Sequence, residues 1–525
     1  MKSSATATTI NTCITIPNLP NSPWPSALGT HIVPTPFQVG DIQQAIVQAD
    51  ADVALIDQEI TRINKVLAHV ELRRAEMYRY GAAHRALLAP VRQCPDEILS
   101  EIFIHCNSIS EQKEKDRIYG MKKRRMPWLV SDVCRRWREV ALTTSALWSD
   151  IQLVHSESTN SAQRVAEMAQ DWLRRTGISR PISFAIRSHA SLRNFTSFIL
   201  PVILPASNRW QHLRLDLSAD KIHCLSPIKG ALSSLKSLRA KLLPPDKPKC
   251  DIFEIAPKLF HVHIECEWSS GGFALPWTQL TDVSFNSNMS LDDCLTIISD
   301  CLNLVSCEFE RVARGVAATS RFRQNLLHHA HLRNLKLSTY LNPLAFFNCL
   351  STPELRTIHI IDLSNRVFYN AIINFLLRSS CTIVTFKWHT IESSTQGVIQ
   401  VFRAMPDLEE LSVDCTTACR RHLLLNLTLD PSADENSYLC PRLRTIRLRS
   451  RNGFDLLVLL EFVKSRRPMR LSQSQCVVPL QSVVLEVGMK ITDKKFLEEV
   501  NILEEEGIDI RVDCESAWED KPASH

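Results

Sequence analysis

The residue types in this chain that could do chemistry are thiols, imidazoles and carboxylates, and we ask first whether any of them form a site. Cys415, Cys419 and His422 lie close together, but zinc needs four ligands in a structural site, or three and a water in a catalytic one. His328 and its neighbours form a histidine cluster with no adjacent Cys or Asp pattern. This spacing favours buried thiols and loop histidines, so we predict no metal and no cofactor.

Catalytic motifs are absent from the sequence. It contains no GxxxxGK[ST], GxGxxG, GxSxG or HExxH, and no carboxylate pair at a spacing suited to acid–base catalysis. Its 17 cysteines include no CxxC pair, which predicts reduced thiols. The net charge of +5 is small for 525 residues and argues against a nucleic-acid binder. No apolar run approaches the length of a membrane span. We therefore predict a non-enzymatic protein of the cytoplasm, the nucleus or both, with no nucleic-acid or membrane partner.

The first elements are a tail and a long helix. Residues 1–40 are rich in Thr, Ser, Asn and Pro and predict a disordered tail. Residues 41–81 predict a coiled-coil helix, because apolar residues recur at alternating steps of four and three over four heptads. These residues are Ile42, Ile46, Ala49, Val53, Ile56, Ile60, Ile63, Leu67 and Val70. Such a seam must be buried, either in a homodimer through residues 42–70 or against the same chain.

Residues 88–153 predict short amphipathic helices. Pro95 suits the first turn of a helix, and the two carboxylates after it favour the positive end of the helix dipole. An apolar stripe at i, i+1, i+4 and i+5 follows, and a second amphipathic helix begins near Pro127 after a polar insert. The apolar positions of interest are Ile98, Leu99, Ile102, Phe103, Val133, Cys134 and Trp137.

The order of these residues resembles the F-box. Pro95-Asp96-Glu97-Ile98-Leu99, then Val133-Cys134-Arg135-Arg136-Trp137-Arg138 and Leu147-Trp148, looks like the version common in fungal F-box proteins, where a coiled-coil helix often precedes the domain. Two departures are Cys94, where the usual pattern has Leu, and the long insert between the first two helices.

The resemblance implies a function. The chain would be the substrate-recognition subunit of an SCF-type (Skp–cullin–F-box) ubiquitin ligase, bound to a Skp-type adaptor and, through it, to a cullin. The residues implied to bind the adaptor are Pro95, Ile98, Leu99, Ile102, Phe103, Val133, Cys134 and Trp137. The alternative is that these residues only hold a helical cap on the region that follows.

The rest of the chain is repetitive. An apolar triplet at i, i+3 and i+5 recurs, and most steps between copies fall within the roughly 20–29 residues expected for leucine-rich repeats. The copies begin at Trp210, Leu235, Leu259, Leu280, Leu304, Leu332, Leu355, Ile383, Leu408, Leu443 and Leu480. For residues 160–515 we predict an irregular leucine-rich-repeat-like solenoid with parallel strands, because one repeat cannot bury its own apolar face. The predicted fold class is thus an α/β repeat preceded by a coiled-coil helix and a small all-α F-box.

The alternate side chains of each strand are expected on the concave face of the solenoid. They are polar and of mixed charge, as in a surface that binds protein substrates, although solvated positions would have the same composition. The predicted substrate-facing residues are Arg214, Arg239, His263, Lys336, His359, Lys387 and Arg447. The alternative function is a leucine-rich-repeat interaction scaffold that works without a ubiquitin ligase.

Overall fold

The structure is a computed structural model that divides into two units, Met1–Leu99 and Ser100–His525. The residues it describes are 16–114, 126–155, 159–188, 194–243, 250–267, 272–313, 326–363, 368–390, 395–414, 417–430, 432, 438–450, 453–467, 477–488, 491 and 493–514.

One long helix, α1 (Pro36–Leu87), dominates the first unit. Proline suits its first turn, because the N–H that proline lacks would have no partner there. The Gln38 side chain accepts a hydrogen bond from the backbone N–H of Thr35 at 2.9 Å and so caps the helix. Residues 36–40, which we assigned to the tail, are therefore helical. No residue of α1 is buried, so its apolar seam is exposed.

Three helices and a 3-10 turn follow. They are α2 (Asp96–Glu114), α3 (Met126–Ser131), α4 (Arg135–Thr143) and the turn Ser145–Trp148. Helix α2 continues to Glu114, farther than its apolar stripe predicts. Helix α4 is capped by Cys134, whose Sγ accepts a hydrogen bond from the backbone N–H of Trp137 at 3.5 Å.

A single parallel sheet organises the second unit. Within the described residues it has 14 strands, and each strand pairs with the next one along the chain, while β8 and β10 form a separate two-stranded pair. The strands are β1 (Asp150–His155), β2 (Ile182–Ser188), β3 (Trp210–Ser218), β4 (Ser237–Leu243), β5 (His261–Glu265), β6 (Asp282–Asn286), β7 (Ser306–Val312), β8 (Leu327–His328), β9 (Asn334–Thr339), β10 (Leu350–Ser351), β11 (Thr357–Asp362), β12 (Thr385–Thr390), β13 (Glu410–Asp414), β14 (Thr445–Ser450), β15 (Ser482–Val487) and β16 (Asp509–Cys514).

Helices connect many of these strands. They are α5 (Thr159–Arg175), α6 (Leu200–Ile203), α7 (Leu291–Asp300), α8 (Leu344–Cys349), α9 (Tyr369–Ser379), α10 (Thr395–Arg403), α11 (Thr417–Leu427), α12 (Leu456–Ser465) and α13 (Lys494–Glu505). Neighbouring helices pack on each other, as α9 does on α10 and α11 does on α12. At the α9–α10 contact a Cβ on Gly397 would overlap the ring of Tyr369, so this position requires glycine.

The solenoid prediction is confirmed in its fold. All eleven predicted triplets coincide with strands of the sheet, and their i+3 and i+5 side chains are buried in in-register rows such as Leu335, Ile358 and Phe386. The sheet begins earlier than the predicted start at residue 160, because β1 is already its first strand. The observed architecture is a stack of α/β repeats of unequal form on one continuous parallel sheet, since some strands are connected by α-helices and others by 3-10 turns.

Candidate functional site

The apolar stripe of α2 has two sides with different roles. Leu99 and Phe103 are fully buried, whereas Ile98 and Ile102 are 51% and 44% exposed. The two pairs differ because each residue turns about 100° around a helix, so positions i and i+4 form one face and i+1 and i+5 the next. Leu99 and Phe103 were predicted on the adaptor surface; the structure places them in the interior, where they stabilise the fold.

Phe103 joins α2 to α4. Its ring lies 4.9 Å from that of Trp137, centroid to centroid, and Trp137 is half-buried. The Oγ1 of Thr144 donates a hydrogen bond to the Oγ of Ser100 at 2.9 Å and makes a second link between the two helices. The contact between Phe103 and Trp137 places the start of α4 against α2, the helix that carries Ile102.

The remaining predicted adaptor residues are exposed. Val133, in the turn before α4, is 60% exposed, and Pro95 and Cys134 are exposed as well. Two apolar residues that we did not predict, Trp128 and Leu129 of α3, are 36% and 47% exposed. The sequence signal for them was present, since Pro127-Trp128-Leu129-Val130 is apolar throughout and a single face cannot bury all four. We define the exposed apolar set Ile102, Trp128, Leu129 and Val133, all in the second unit, as the helical apolar surface.

A tryptophan cluster fixes these helices to the sheet. The ring of Trp148 lies edge-on to Trp128 at 5.2 Å and to Trp172 of α5 at 5.7 Å. The guanidinium of Arg175 lies 4.5 Å from the centroid of the Trp148 ring, in a cation–π contact. Because Trp148 lies two residues before the start of β1, the cluster connects the helical apolar surface to the first strand.

Polar contacts reinforce the same junction. Arg180 Nε donates to Ser145 Oγ at 2.9 Å, and Arg209 Nε donates to the carbonyl oxygen of Arg180 at 2.9 Å. Arg209 Nη2 also donates to Thr176 Oγ1 at 2.8 Å. The 3-10 turn that follows α4 is thus connected by hydrogen bonds to the segments on both sides of β2.

The predicted substrate-facing residues lie on one row of the sheet. The register aligns Arg214 with Arg239, then His263, and farther along Lys336, His359 and Lys387, and finally Arg447. We call this row and the row two residues beyond it the polar sheet face. The structure therefore brings all seven predicted residues onto one continuous surface.

Cross-strand ion pairs neutralise much of this face. Arg187 Nε lies 2.8 Å from Asp216, and Lys241 Nζ lies 2.7 Å from Glu265. Lys336 Nζ pairs with Glu310 at 2.5 Å. Arg447 and Arg449 both reach Glu486, at 2.8 and 3.4 Å. Pairs in this partly exposed setting contribute about 0–1 kcal/mol each, so they order side chains more than they stabilise the fold.

Two histidines of the polar sheet face are held neutral. Burial lowers the pKa of His263 to about 4, with a further contribution from the charge of Arg239. Burial also lowers the pKa of His359 to about 4, aided by His389 and two nearby lysines. His263 Nδ1 is 2.9 Å from the Oγ of Ser284, which suits a neutral ring.

We expect this pair to make stability depend on pH. Since the unfolded pKa is about 6.5 and the folded pKa is lower, stability is fully present above pH 6.5 and decreases as the pH falls toward 4, by about 1–3 kcal/mol per histidine. Urea unfolding between pH 7.5 and 4 should show this loss, and H263Q/H359Q should reduce it. The control is H223Q at an exposed histidine. An unchanged pH slope in H263Q/H359Q would contradict the assignment.

Several buried cysteines are poorly suited to chemistry. Burial raises the pKa of Cys250 to about 11 and those of Cys301 and Cys440 to about 12, so these thiols stay protonated at neutral pH. Of the predicted cysteine–histidine group, Cys419 is buried, His422 is exposed and Cys415 lies outside the described residues. Among the described residues, no three His, Cys, Asp or Glu side chains are grouped as metal ligands. In the same part of the chain no helix combines the length and apolar character needed to span a bilayer.

Comparison with known proteins identifies one domain. Residues 73–170 match the family model of the F-box-like domain. The match extends from the last turns of α1 into α5, so it contains the helical apolar surface together with Trp128 and Trp148, whereas Trp172 lies just beyond its end. No curated protein matches the chain.

Proposed function

We propose that this chain is the substrate-recognition subunit of an SCF-type ubiquitin ligase, in which the helical apolar surface binds a Skp-type adaptor and the polar sheet face binds target proteins. The observation that carries the proposal is the division of the α2 stripe: Leu99 and Phe103 complete the chain's own core, while Ile98 and Ile102 remain exposed. Exposed apolar groups on an F-box-like domain support contact with another subunit.

Catalysis would come from the partners. The adaptor would connect the chain to a cullin and a ubiquitin-conjugating enzyme, and this chain would raise the effective concentration of target lysines near that enzyme. The packed junction through Trp148 supports this role, because a target held on the sheet would keep a fixed position relative to the adaptor.

The direct test is complex formation by the purified full-length chain. We expect it to form a 1:1 complex with a purified Skp-type adaptor in size-exclusion chromatography, and to retain a cullin when one is added. If neither protein is retained at micromolar concentration while the chain is folded, the ligase assignment is wrong. The chain would then be a leucine-rich-repeat-like interaction scaffold that acts without ubiquitin.

We also propose that α1 pairs with α1 of a second copy, in antiparallel orientation. Residues 41–59 carry five carboxylates and no Lys or Arg, whereas residues 62–85 carry six Lys or Arg and two carboxylates. A parallel pair would place the two acidic halves side by side and Arg74 opposite its own copy within the seam. An antiparallel pair opposes acidic and basic halves, which favours that orientation.

The seam itself fits this arrangement. Continued beyond Val70 at the same spacing to Arg74, Met77 and Gly81, the seam is centred between Ile60 and Ile63, where the charge changes sign, and spans about 60 Å at 1.5 Å per residue. In the antiparallel pair, small residues face large ones near each end of the seam. The opposed seam positions are Ile60–Ile63, Ile56–Leu67, Val53–Val70, Ala49–Arg74, Ile46–Met77 and Ile42–Gly81.

Charge reversal distinguishes the two orientations. In the full-length chain, D50K/D52K/D57K or R73E/R74E alone should weaken dimerisation at least tenfold by light scattering, since each opposes like charges in the antiparallel pair. All five changes in one chain should restore the dimer. A parallel pair predicts no weakening from the single sets. A wild-type chain that stays monomeric at tens of micromolar would exclude the dimer.

A further inference from the structure

Within the described residues, two arginines of the polar sheet face have no carboxylate within ion-pair distance. Arg214 of β3 and Arg239 of β4 are directly opposite in the register. Neither makes an ion pair or a side-chain hydrogen bond in the part of the chain that the structure describes. Five neighbouring cations on the same face do pair with a carboxylate, namely Arg187, Lys241, Lys336, Arg447 and Arg449. The arginine pair is thus a local excess of positive charge on a surface that is otherwise largely neutralised.

The surroundings do not relieve this excess. Asp216, the carboxylate two residues beyond Arg214 on β3, is held by Arg187 at 2.8 Å. Burial lowers the pKa of Arg214 and the charges of Arg239 and Arg187 lower it further, while the charge of Asp216 opposes them only in part. His212 lies on the same strand, and burial lowers its pKa as well, so it adds little positive charge at neutral pH. On β2 the register neighbour of Arg214 is Ala185, which carries only a methyl group.

The geometry suits an anion with several acceptor oxygens. Neighbouring strands lie about 4.8 Å apart, so the two guanidinium groups start from adjacent points on the sheet. A guanidinium presents a planar set of donors that binds phosphate or carboxylate through two parallel hydrogen bonds. Lys387, which also has no carboxylate partner among the described residues, has no second cation opposite it, since its register neighbours are His359 and Ser412.

We propose that Arg214 and Arg239 bind an anionic group of the substrate protein, either a phosphorylated side chain or a cluster of carboxylates. The inference rests on the proposed function and adds the chemical class of the recognised segment. The pair lies near the β1 end of the sheet, on its third and fourth strands, and thus toward the helices that carry the apolar surface. A target bound there would be held next to the adaptor end of the molecule.

The test uses the immobilised full-length chain and two degenerate peptide pools. One pool has a central phosphoserine in random flanks, and the other replaces it with three consecutive glutamates; a pool with unmodified serine is the background. We expect R214Q/R239Q to lower retention of at least one anionic pool tenfold or more, about 1.4 kcal/mol. The matched control is K494Q/K495Q, two exposed lysines on α13 outside the polar sheet face, which should retain both pools as the wild type does. Thermal melting of each variant verifies that it is folded.

The outcomes distinguish a phosphorylated side chain from a cluster of carboxylates, and they distinguish the anion-binding inference from the proposed ligase function. Loss of the phosphoserine pool alone identifies a phosphorylated side chain, and loss of the glutamate pool identifies carboxylates. The inference is overturned if the wild type retains neither pool above background, or if R214Q/R239Q retains both normally. Adaptor binding, measured on the same variants, decides the proposed function independently, because the arginines lie outside the matched residues 73–170.

Discussion

Ile102→Asp combined with Val133→Asp should strongly weaken adaptor binding while the chain remains folded. Both side chains are exposed, at 44% and 60%, so a carboxylate at either position stays solvated in the free protein. In the complex it would be buried against an apolar surface without a partner, which is strongly unfavourable. Truncating an interface hot spot costs about 2 kcal/mol or more, so two such changes should weaken binding by about a thousandfold.

The measurement is titration of the purified full-length variant with a Skp-type adaptor. The matched control is Leu457→Asp on α12, an equally apolar residue that is 75% exposed and lies far along the chain from the F-box-like region. It should bind the adaptor as the wild type does. If the double variant melts normally and its dissociation constant stays within about threefold of wild type, the helical apolar surface is not the adaptor site.

Phe103 is unsuitable for this experiment although the sequence pattern groups it with Ile102. It is buried and packs on Trp137, so its truncation would lower stability and binding together. The stripe at i, i+1, i+4 and i+5 predicts that the helix has an apolar side. It contains no information on how much of that side the chain itself covers, because coverage depends on α4, which is distant in sequence.

The repeat strands were predictable for a local reason. Each copy buries three apolar residues within six positions, so the signal lies inside one short segment and recurs at a nearly constant step. The alignment of the predicted surface residues was predictable as well. When neighbouring strands pair in chain order, the residue at a given position of one repeat lies opposite the residue at the same position of the next repeat. Strand β1 was not predicted for two reasons. Ile151 and Leu153 lie so close to Leu147-Trp148 that they were assigned to the helical region, and α5 makes the step from β1 to β2 longer than most of the other steps.

Interactions between distant residues were not predictable. Arg466 is fully buried and donates hydrogen bonds to the carbonyl oxygens of Leu427, Cys440 and Leu439 at 2.8, 3.0 and 2.7 Å. Burial lowers its pKa to about 10, so it remains charged at neutral pH. In the sequence it reads as one more cation in a basic run after α12. Only the fold shows that it satisfies the backbone at the end of α11 and in the loop that follows.

Trp148→Ala should cost about 3–5 kcal/mol of stability in the region where the helices meet the sheet. Trp148 is fully buried, contacts Trp128 and Trp172, and donates a hydrogen bond from Nε1 to the carbonyl oxygen of Ala141 at 2.8 Å. Its removal leaves a cavity and an unsatisfied carbonyl group in α4. Trp148→Phe keeps most of the ring and should cost clearly less.

Hydrogen exchange measures the effect where it occurs, since a long repeat array need not unfold in one step. Amides of α4 and β1 should lose protection in Trp148→Ala, while those of β13 and β14 should not change, because neighbouring repeats carry the local stability of a solenoid. Equal loss along the whole sheet would mean that the chain unfolds as one cooperative unit. Loss below about 1 kcal/mol at α4 would show that the tryptophan cluster does not fix the helices to the sheet, and the proposed constant distance between adaptor and target would then lack its structural basis.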